Sequence, residues 1–402
     1  MKVLKGKSGI TVLFRQMKTG LVDMHYYVKV GAIDESSAEW GYCHALEHMV
    51  FAGTEKRTWL QINRDWEKIG AYYNAHTHHD RTTYDVTCLK KHWQESYEVL
   101  ADMFYNCQFP KDRWEDVEKP AVISEIEADL DDQGTVLAET LYRTGIGDSY
   151  HSIVGGLDTI RSATIDDLTS FYQEYYQGDN VYLVVTGDLT EKQLMRVVNR
   201  YDRLQTRKQV KRKQFNFKFN YGPVTVESKG AQQAYLQTLM PVDIPRTYRT
   251  RVGLCLGVAC LSQYLFEELR EKRGLVYGAS ASLYWELPDQ VFLNCKTATE
   301  MGRLDKTQRA FRAALNRFPE EGLSAERINN IKRSEAFATI GEQENIDTSA
   351  GALWEAYEEE QTDMDPYKKH LRTLDRLSVE SIRTTTRLHL LGKDKLGKLV
   401  GS

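Results

Sequence analysis

The run His44-Ala45-Leu46-Glu47-His48 is the part of the chain best equipped for chemistry. At about 100° per residue on a helix, the three polar side chains fall on one face, so two imidazoles and a carboxylate point the same way. Neutral imidazoles suit Zn²⁺, and a catalytic zinc takes a third protein ligand while leaving its fourth position to water. A carboxylate beside that water that does not itself ligate can take its proton, a role open to Glu47. With 10 histidines and 57 acidic residues in 402 positions, chance supplies roughly 0.03 runs of this kind per chain, any acidic residue counted. The competing reading is a polar helix face at a surface or interface.

A third ligand has to come from another element, and the segment from Asp112 to Leu130 offers one. Glu118 and Glu125 are two helical turns apart and share a face, beside an apolar stripe of Ala121, Val122 and Ile126. Glu115, Asp116, Glu127 and Asp129 leave a solvated acidic helix as the alternative. Pro120 falls between the two glutamates; lacking an N–H, it is expected to kink the helix or mark its first turn, and to disturb their alignment. A further group, His76, His78 and His79, lies in a segment of strand character. Period-two alternation there predicts His76, His78 and Asp80 on one face and His79 on the other. Solvent or substrate contacts are the expectation for them, with a second metal site as the alternative.

Strands and a helix must position these residues. Residues 1–30 read as a hairpin and a further strand, and Trp40, Cys43, Leu46 and Val50 give helical spacing over Ala38 to Phe51, ending at Gly53. Helices are predicted over 58–69, 91–105, 112–130, 135–145 and 165–175, and strands over Ala71 to Cys88 and Val181 to Val185. Between Leu204 and Phe215, Arg207, Lys208, Lys211, Arg212 and Lys213 occur without apolar periodicity, which marks a solvated linker over 206–214. Beyond it strand character returns over Phe215 to Met240, helix over Arg251 to Arg270, strand over Gly278 to Ala298 and helix over Arg303 to Arg317. The order loosely repeats the first half and predicts two similar domains, 1–205 and 215–402, of α+β class. Each is expected to be an α/β sandwich with a mixed, largely antiparallel sheet. Past the linker only His370 and His389 occur, so the second domain does not duplicate the chemistry.

Composition narrows the classes. Lys and Arg number 53 against 57 Asp and Glu, a net charge of −4, which gives no general field toward nucleic acid or an anionic membrane. Hydrophobic content of 41% with 11% aromatics suits globular packing, and a mean hydropathy of −0.52 argues against a membrane protein. No signal-peptide core is read at the start of the sequence, and Cys43, Cys88, Cys107, Cys255, Cys260 and Cys295 occur singly, without CxxC spacing. The expectation is reduced, buried thiols in a cytoplasmic protein.

Taken together, His44, Glu47, His48 and the later Glu125 resemble the signature of the pitrilysin family of metallopeptidases, the inverted zincins. The likeness extends through Gly41, Phe51-Ala52-Gly53-Thr54, Gly70-Ala71, Asn74-Ala75, Thr83-Tyr84 and Asn180 to Gly187-Asp188. In the second half it continues at Leu269-Arg270-Glu271-Lys272-Arg273-Gly274-Leu275-Val276-Tyr277. The chain is similar to the shorter, processing-peptidase-like branch. This resemblance implies one zinc per chain, held by His44, His48 and Glu125, with Glu47 as general base and Glu118 just outside the ligands. It implies that Asn74, Ala75 and His76 belong to an edge strand that pairs with substrate main chain. It also implies that Arg270 and Tyr277 grip the substrate and steady the oxyanion. In half-length members that pair reaches the zinc from a partner subunit, so a homodimer, or a heterodimer with a related subunit, is expected, its domains pairing as a clamshell. The expected activity is zinc-dependent hydrolysis of unfolded peptides, or processing of short peptide segments, inside a closed chamber. The rival is a catalytically silent or heteromer-dependent peptide-binding subunit of a processing complex.

Overall fold

The computed structural model describes residues 1–402 other than 148–149, 205–209, 211–217, 229–230, 244, 246, 288–289, 347, 360–364, 391–394 and 402. Apart from Val210, the basic linker expected over 206–214 lies outside the described residues. The chain divides into two compact units, and neither is continuous. The first comprises Met1–Glu127, His151–Lys213 and Ile340–Lys369; the second comprises Ala128–Tyr150, Gln214–Thr339 and His370–Ser402.

In the first unit, strands β1 (Lys2–Lys5), β2 (Thr11–Gln16), β3 (Leu21–Val28), β4 (Tyr72–Thr77), β5 (Thr82–Leu89) and β6 (Val181–Gly187) form one sheet, in the order β1-β2-β6-β3-β5-β4. All neighbours are antiparallel except β2 and β6. In the second unit, β7 (Val224–Ser228), β8 (Ala234–Val242), β9 (Val276–Leu287), β10 (Gln290–Thr299) and β11 (Lys395–Gly401) take the order β7-β11-β8-β10-β9. Here β7 and β11 are the parallel pair, and the remaining pairs are antiparallel. With β1 set aside, the two sheets have the same strand order and the same strand directions.

Each sheet buries one face under helices of its own half. Val22, Met24, Tyr26 and Val28 of β3 join Leu46, Met49, Trp66, Leu100, Phe104 and Val122 in the first core, an alternation in which every second residue of the strand packs inward. The other face is covered by a helix from the opposite half of the sequence. Ser349–Glu358 brings Ala350, Leu353 and Trp354 onto Leu13, Tyr27 and Val184, with the Trp354 and Tyr27 rings stacked at 4.6 Å. Reciprocally, Gln133–Ile146 lays Leu137 and Leu141 on Val224, Val226 and Tyr235. The expected division at 206–214 is therefore crossed by two exchanged helices. Their apolar faces are complementary to sheets far away in sequence, which local periodicity cannot register.

Among the described residues one helix, Tyr248–Glu271, is long and apolar enough to cross a membrane by length and composition, and 67% of its most apolar stretch is buried inside the protein. Val252, Leu254, Leu256, Leu261 and Leu265 put it in the second core. Among the cysteines, Cys43, Cys88, Cys260 and Cys295 are buried, whereas Cys107 is half-buried and Cys255 is exposed. The expectation of uniformly buried thiols is corrected at those two positions.

Candidate metal centre

The helix that carries the two histidines spans only Tyr42–Met49, shorter than the Ala38 to Phe51 read from periodicity. Gly41 starts it at φ 102°, in the left-handed region that glycine adopts without steric cost. A Cβ there would lie 2.8 Å from the Gly155 Cα. The first amides are taken by a side chain that sequence reasoning did not single out. Glu35 accepts from the Gly41 N–H at 2.8 Å and from the Cys43 N–H at 2.7 Å, one bond to each carboxylate oxygen. Glu35 is 3% exposed. Burial pushes its carboxyl up to about 8, against the pull of those two donors. The only sequence signal was an acidic residue a few positions before a helix start, where it complements the positive end of the helix.

The second helix departs from the simple reading over 112–130. Trp114–Glu118 forms a π turn in which the Lys119 N–H donates to the Trp114 carbonyl, and Lys119–Asp131 follows as regular α-helix. Such a turn widens the backbone just ahead of Pro120, where a ring would otherwise meet the preceding carbonyl. The expected misalignment of Glu118 and Glu125 does not occur, since both reach the histidines. The Glu125 carboxylate lies 3.1 Å from His44 Nε2 and 3.7 Å from His48 Nε2. Glu118 sits 3.1 Å from His48 Nδ1, and its other oxygen accepts from Arg113 at 2.6 Å.

His44, His48 and Glu125 form a three-residue group whose donor atoms lie within 4.8 Å of one another. Ligands at roughly 2.0–2.1 Å from a tetrahedral zinc sit about 3.3 Å apart, and the two separations above bracket that figure. The outer ring nitrogens are tied as well, His48 to Glu118 and His44 Nδ1 to the Val154 carbonyl at 3.1 Å. This outer bonding is what orients an imidazole toward a metal. The rings stand at 85° to each other with centroids 5.0 Å apart. The donor set fits a zinc ion.

Electrostatics agree with a site made for a cation. The His44 hydrogen bond, and then His48, hold the Glu125 carboxyl below its ordinary range. Burial would raise Glu118, but the His48 hydrogen bond and the Arg113 guanidinium outweigh it and hold it low. Burial would lower His44, yet Glu125 and Glu47 raise it overall. His44 is 7% exposed, while half of the Glu125 side chain is open to solvent.

Glu47 lies on the same helix and accepts a short hydrogen bond from Thr77 Oγ1, at the end of β4. Thr77 is a second residue that sequence reasoning missed; its signal was the two-residue step from Ala75. β4 is an edge strand, as expected for Asn74, Ala75 and His76. Ala75 is buried, whereas His76 is exposed and its Nε2 is 3.3 Å from the Asn74 amide nitrogen. By alternation Asn74 and His76 leave the sheet on the face opposite Thr77. The alternation predicted through Asp80 stops at Thr77, because the His78 N–H turns back to the Arg81 carbonyl at 2.8 Å. His79 is buried, and the carbonyls of His78 and His79 accept from Ala32 and Ile33. Among the described residues, His44, His48 and Glu125 are the one group of three metal donors, so the alternative of a second site at His76, His78 and His79 gains nothing.

Arg270 and Tyr277 lie in the second unit, and the structure brings them together. Arg270 ends the long helix in a π turn, Glu267–Glu271. Its guanidinium lies 4.7 Å from the Tyr277 ring centroid and 5.0 Å from that of Phe266. Tyr277, near the start of β9, is 85% exposed.

Residues 11–152 match the family described as insulinase (peptidase family M16), and residues 162–335 match the family described as peptidase M16 inactive domain. An uncharacterized zinc protease of Rickettsia felis is 29% identical over 289 residues, 69% of this chain and 69% of that protein. The mitochondrial-processing peptidase subunit beta of Dictyostelium discoideum is 27% identical over 200 residues, 49% of this chain and 42% of its own. The crystal structure of a protease from Helicobacter pylori shares the fold, with a TM-score of 0.89 at 18% identity over 99% of this chain and 98% of that one.

Proposed function

Because the chain belongs to the insulinase family of peptidases, M16, the pitrilysin family that its motifs resemble, we propose that it is a zinc-dependent endopeptidase acting on unfolded peptides or processing short peptide segments. The observation that carries this reading is the convergence of His44, His48 and Glu125 beside a carboxylate, Glu47, that is not one of the three. One zinc ion per chain on those donors would supply Lewis-acid polarisation of a peptide carbonyl and would acidify water.

The remaining work falls to the side chains. Glu47 takes the proton of the attacking water and passes it to the leaving amine, and the Thr77 hydroxyl holds its carboxylate in place. Glu118, fixed by Arg113, keeps the His48 ring aimed. The free edge of β4, through Asn74, Ala75 and His76, pairs with an extended substrate main chain, which favours unfolded segments. Arg270 and Tyr277 grip the substrate and donate to the developing oxyanion, reaching it from the other subunit of a homodimer or of a heterodimer with a related chain. A closed chamber around such a pair excludes folded proteins. One relative is by name a beta subunit, which supports assembly with another chain. Six cysteines that occur singly, without CxxC spacing, accord with the reducing cytoplasm.

The test is Glu47→Gln beside the wild-type chain, with zinc content, solution mass and cleavage of a quenched unstructured peptide measured together. Zinc retained with cleavage lowered by about 10²–10⁴-fold establishes the general base. Loss of zinc with activity would make Glu47 a ligand, and a wild-type chain that binds zinc and cleaves nothing alone would favour the heteromer-dependent subunit.

A further inference from the structure

We infer that Glu35 is a positioning residue for the metal site: it fixes the start of the histidine-bearing helix and thereby the aim of His44. The inference rests on the zinc reading above. Three observations carry it. Both carboxylate oxygens are engaged, and by two amides of the first turn, Gly41 and Cys43. His44 follows directly after Cys43, so its Cα lies one residue beyond a pinned amide. The helix itself has only eight residues, too few to hold its own first turn without outside partners.

The surroundings make Glu35 hard to replace. The loop that carries it is fastened to the β4–β5 turn, with Ala32 and Ile33 donating to the His78 and His79 carbonyls at 3.2 and 3.0 Å. Gly31 lies so close to that turn that a Cβ would stand 2.4 Å from the His78 oxygen. From the other side, Trp40 Nε1 donates to the Ser152 carbonyl at 2.9 Å, and the same loop supplies the Val154 carbonyl that receives His44 Nδ1. The helix start is thus clamped between Glu35 and residues 151–156. Without the Glu35 oxygens, two buried N–H groups lose their acceptors. The first turn then shifts to find others, moving His44 Nε2 relative to Glu125.

Zinc affinity, measured by competition with a chelator, tests this together with the visible spectrum of the Co²⁺-substituted protein, which reports ligand geometry. Glu35→Ala is expected to bind zinc 10–100-fold more weakly and to shift the cobalt bands. Glu35→Gln, which keeps one acceptor oxygen, is expected to lose less and decides the question if the alanine variant does not fold. Val198→Ala, a core truncation elsewhere in the unit, controls for stability alone. Wild-type affinity in both Glu35 variants, or an equal loss in Val198→Ala, overturns the inference. A wild-type chain that binds no zinc overturns the metal reading itself, so the two failures are distinguishable.

Discussion

The two units build the same sheet and put different chemistry on it. After β3 the first unit places a short helix with His44, Glu47 and His48; after β8 the second places Tyr248–Phe266, a 19-residue helix that has no histidine. Further along each unit a later helix carries a carboxylate: Glu118 ends the π turn that leads into Lys119–Asp131, which holds Glu125, and Glu335 lies in Ala325–Glu344. Glu335 also meets a histidine, His370 Nε2 at 3.1 Å, but the Nδ1 of that ring faces the Tyr248 hydroxyl at 2.9 Å. Both nitrogens of one imidazole are therefore engaged in a linear chain, whereas in the first unit two imidazoles each keep one nitrogen for a common point. Topology provides the stage, and the number of convergent donors decides whether a metal can be held.

The sharpest way to break this comparison is to remove a donor from each side. His48→Ala is expected to abolish stoichiometric zinc binding and cleavage, because two remaining ligands do not complete a zinc site. His370→Ala is expected to leave zinc content at the wild-type value. Metal analysis of the purified variants decides, and zinc lost from His370→Ala would show that the second unit takes part in metal binding.

The next effect is smaller. Glu118→Gln keeps the side-chain length but weakens the hold on His48 Nδ1 and loses the ionic pairing with Arg113. Zinc affinity should fall by about 10–100-fold without loss of the site. Unchanged affinity under the same chelator competition would mean that Glu118 is an ordinary surface-facing ion pair.

How much of this was legible in the sequence depends on the range of the interaction. His44, Glu47, His48 and Glu125 could be read because helical spacing sets which side chains share a face, and helix 165–175 was read at its observed bounds. Pro120 falls in the first turn of Lys119–Asp131, one of the two readings made for it, but the π turn ahead of it, which leaves both glutamates beside the histidines, has no local signature. Glu35 and Thr77 left only faint signals and the Val154 carbonyl none, because their partners are fixed only when separate loops close on the helix. Of the exchanged helices, Gln133–Ile146 was read as a local element over 135–145 and Ser349–Glu358 was not read at all, and no local pattern encodes the destination of either. Cys255 was misjudged for a related reason, since a largely buried helix still leaves individual positions outside.

A third test concerns the apolar helix of the second unit. A Cβ on Gly257 would lie 1.9 Å from the Thr386 hydroxyl, which is itself buried. Gly257→Ala should therefore cost about 2 kcal/mol through overpacking, while zinc affinity in the first unit stays unchanged. Pairing it with Thr386→Ala removes the clash, so the double variant should be more stable than the sum of the two single changes implies. Simple additivity in denaturant midpoints would refute the contact.

The smallest expected effect concerns the segment that follows the histidine-bearing helix in the first unit. Asp102 is buried and accepts from Thr54 at 2.8 Å, Arg57 at 2.5 Å and Asn106 at 2.9 Å. Burial would raise its carboxyl, but these hydrogen bonds and the Arg57 charge outweigh it and hold the group below its ordinary value. A depressed folded-state value stabilises the protein at all pH above the unfolded carboxylate value of about 3.9, and that stabilisation is lost as pH falls through the folded value. Asp102→Asn keeps one acceptor and leaves Arg57 paired with Asp65 at 2.9 Å, so no charge is stranded and the cost at pH 7 should be about 1 kcal/mol. Urea midpoints of wild type and variant should differ at pH 7 and converge as the pH is taken below 4. A gap that persists into acid would mean that shape, not the charge on Asp102, holds the 54–57 segment.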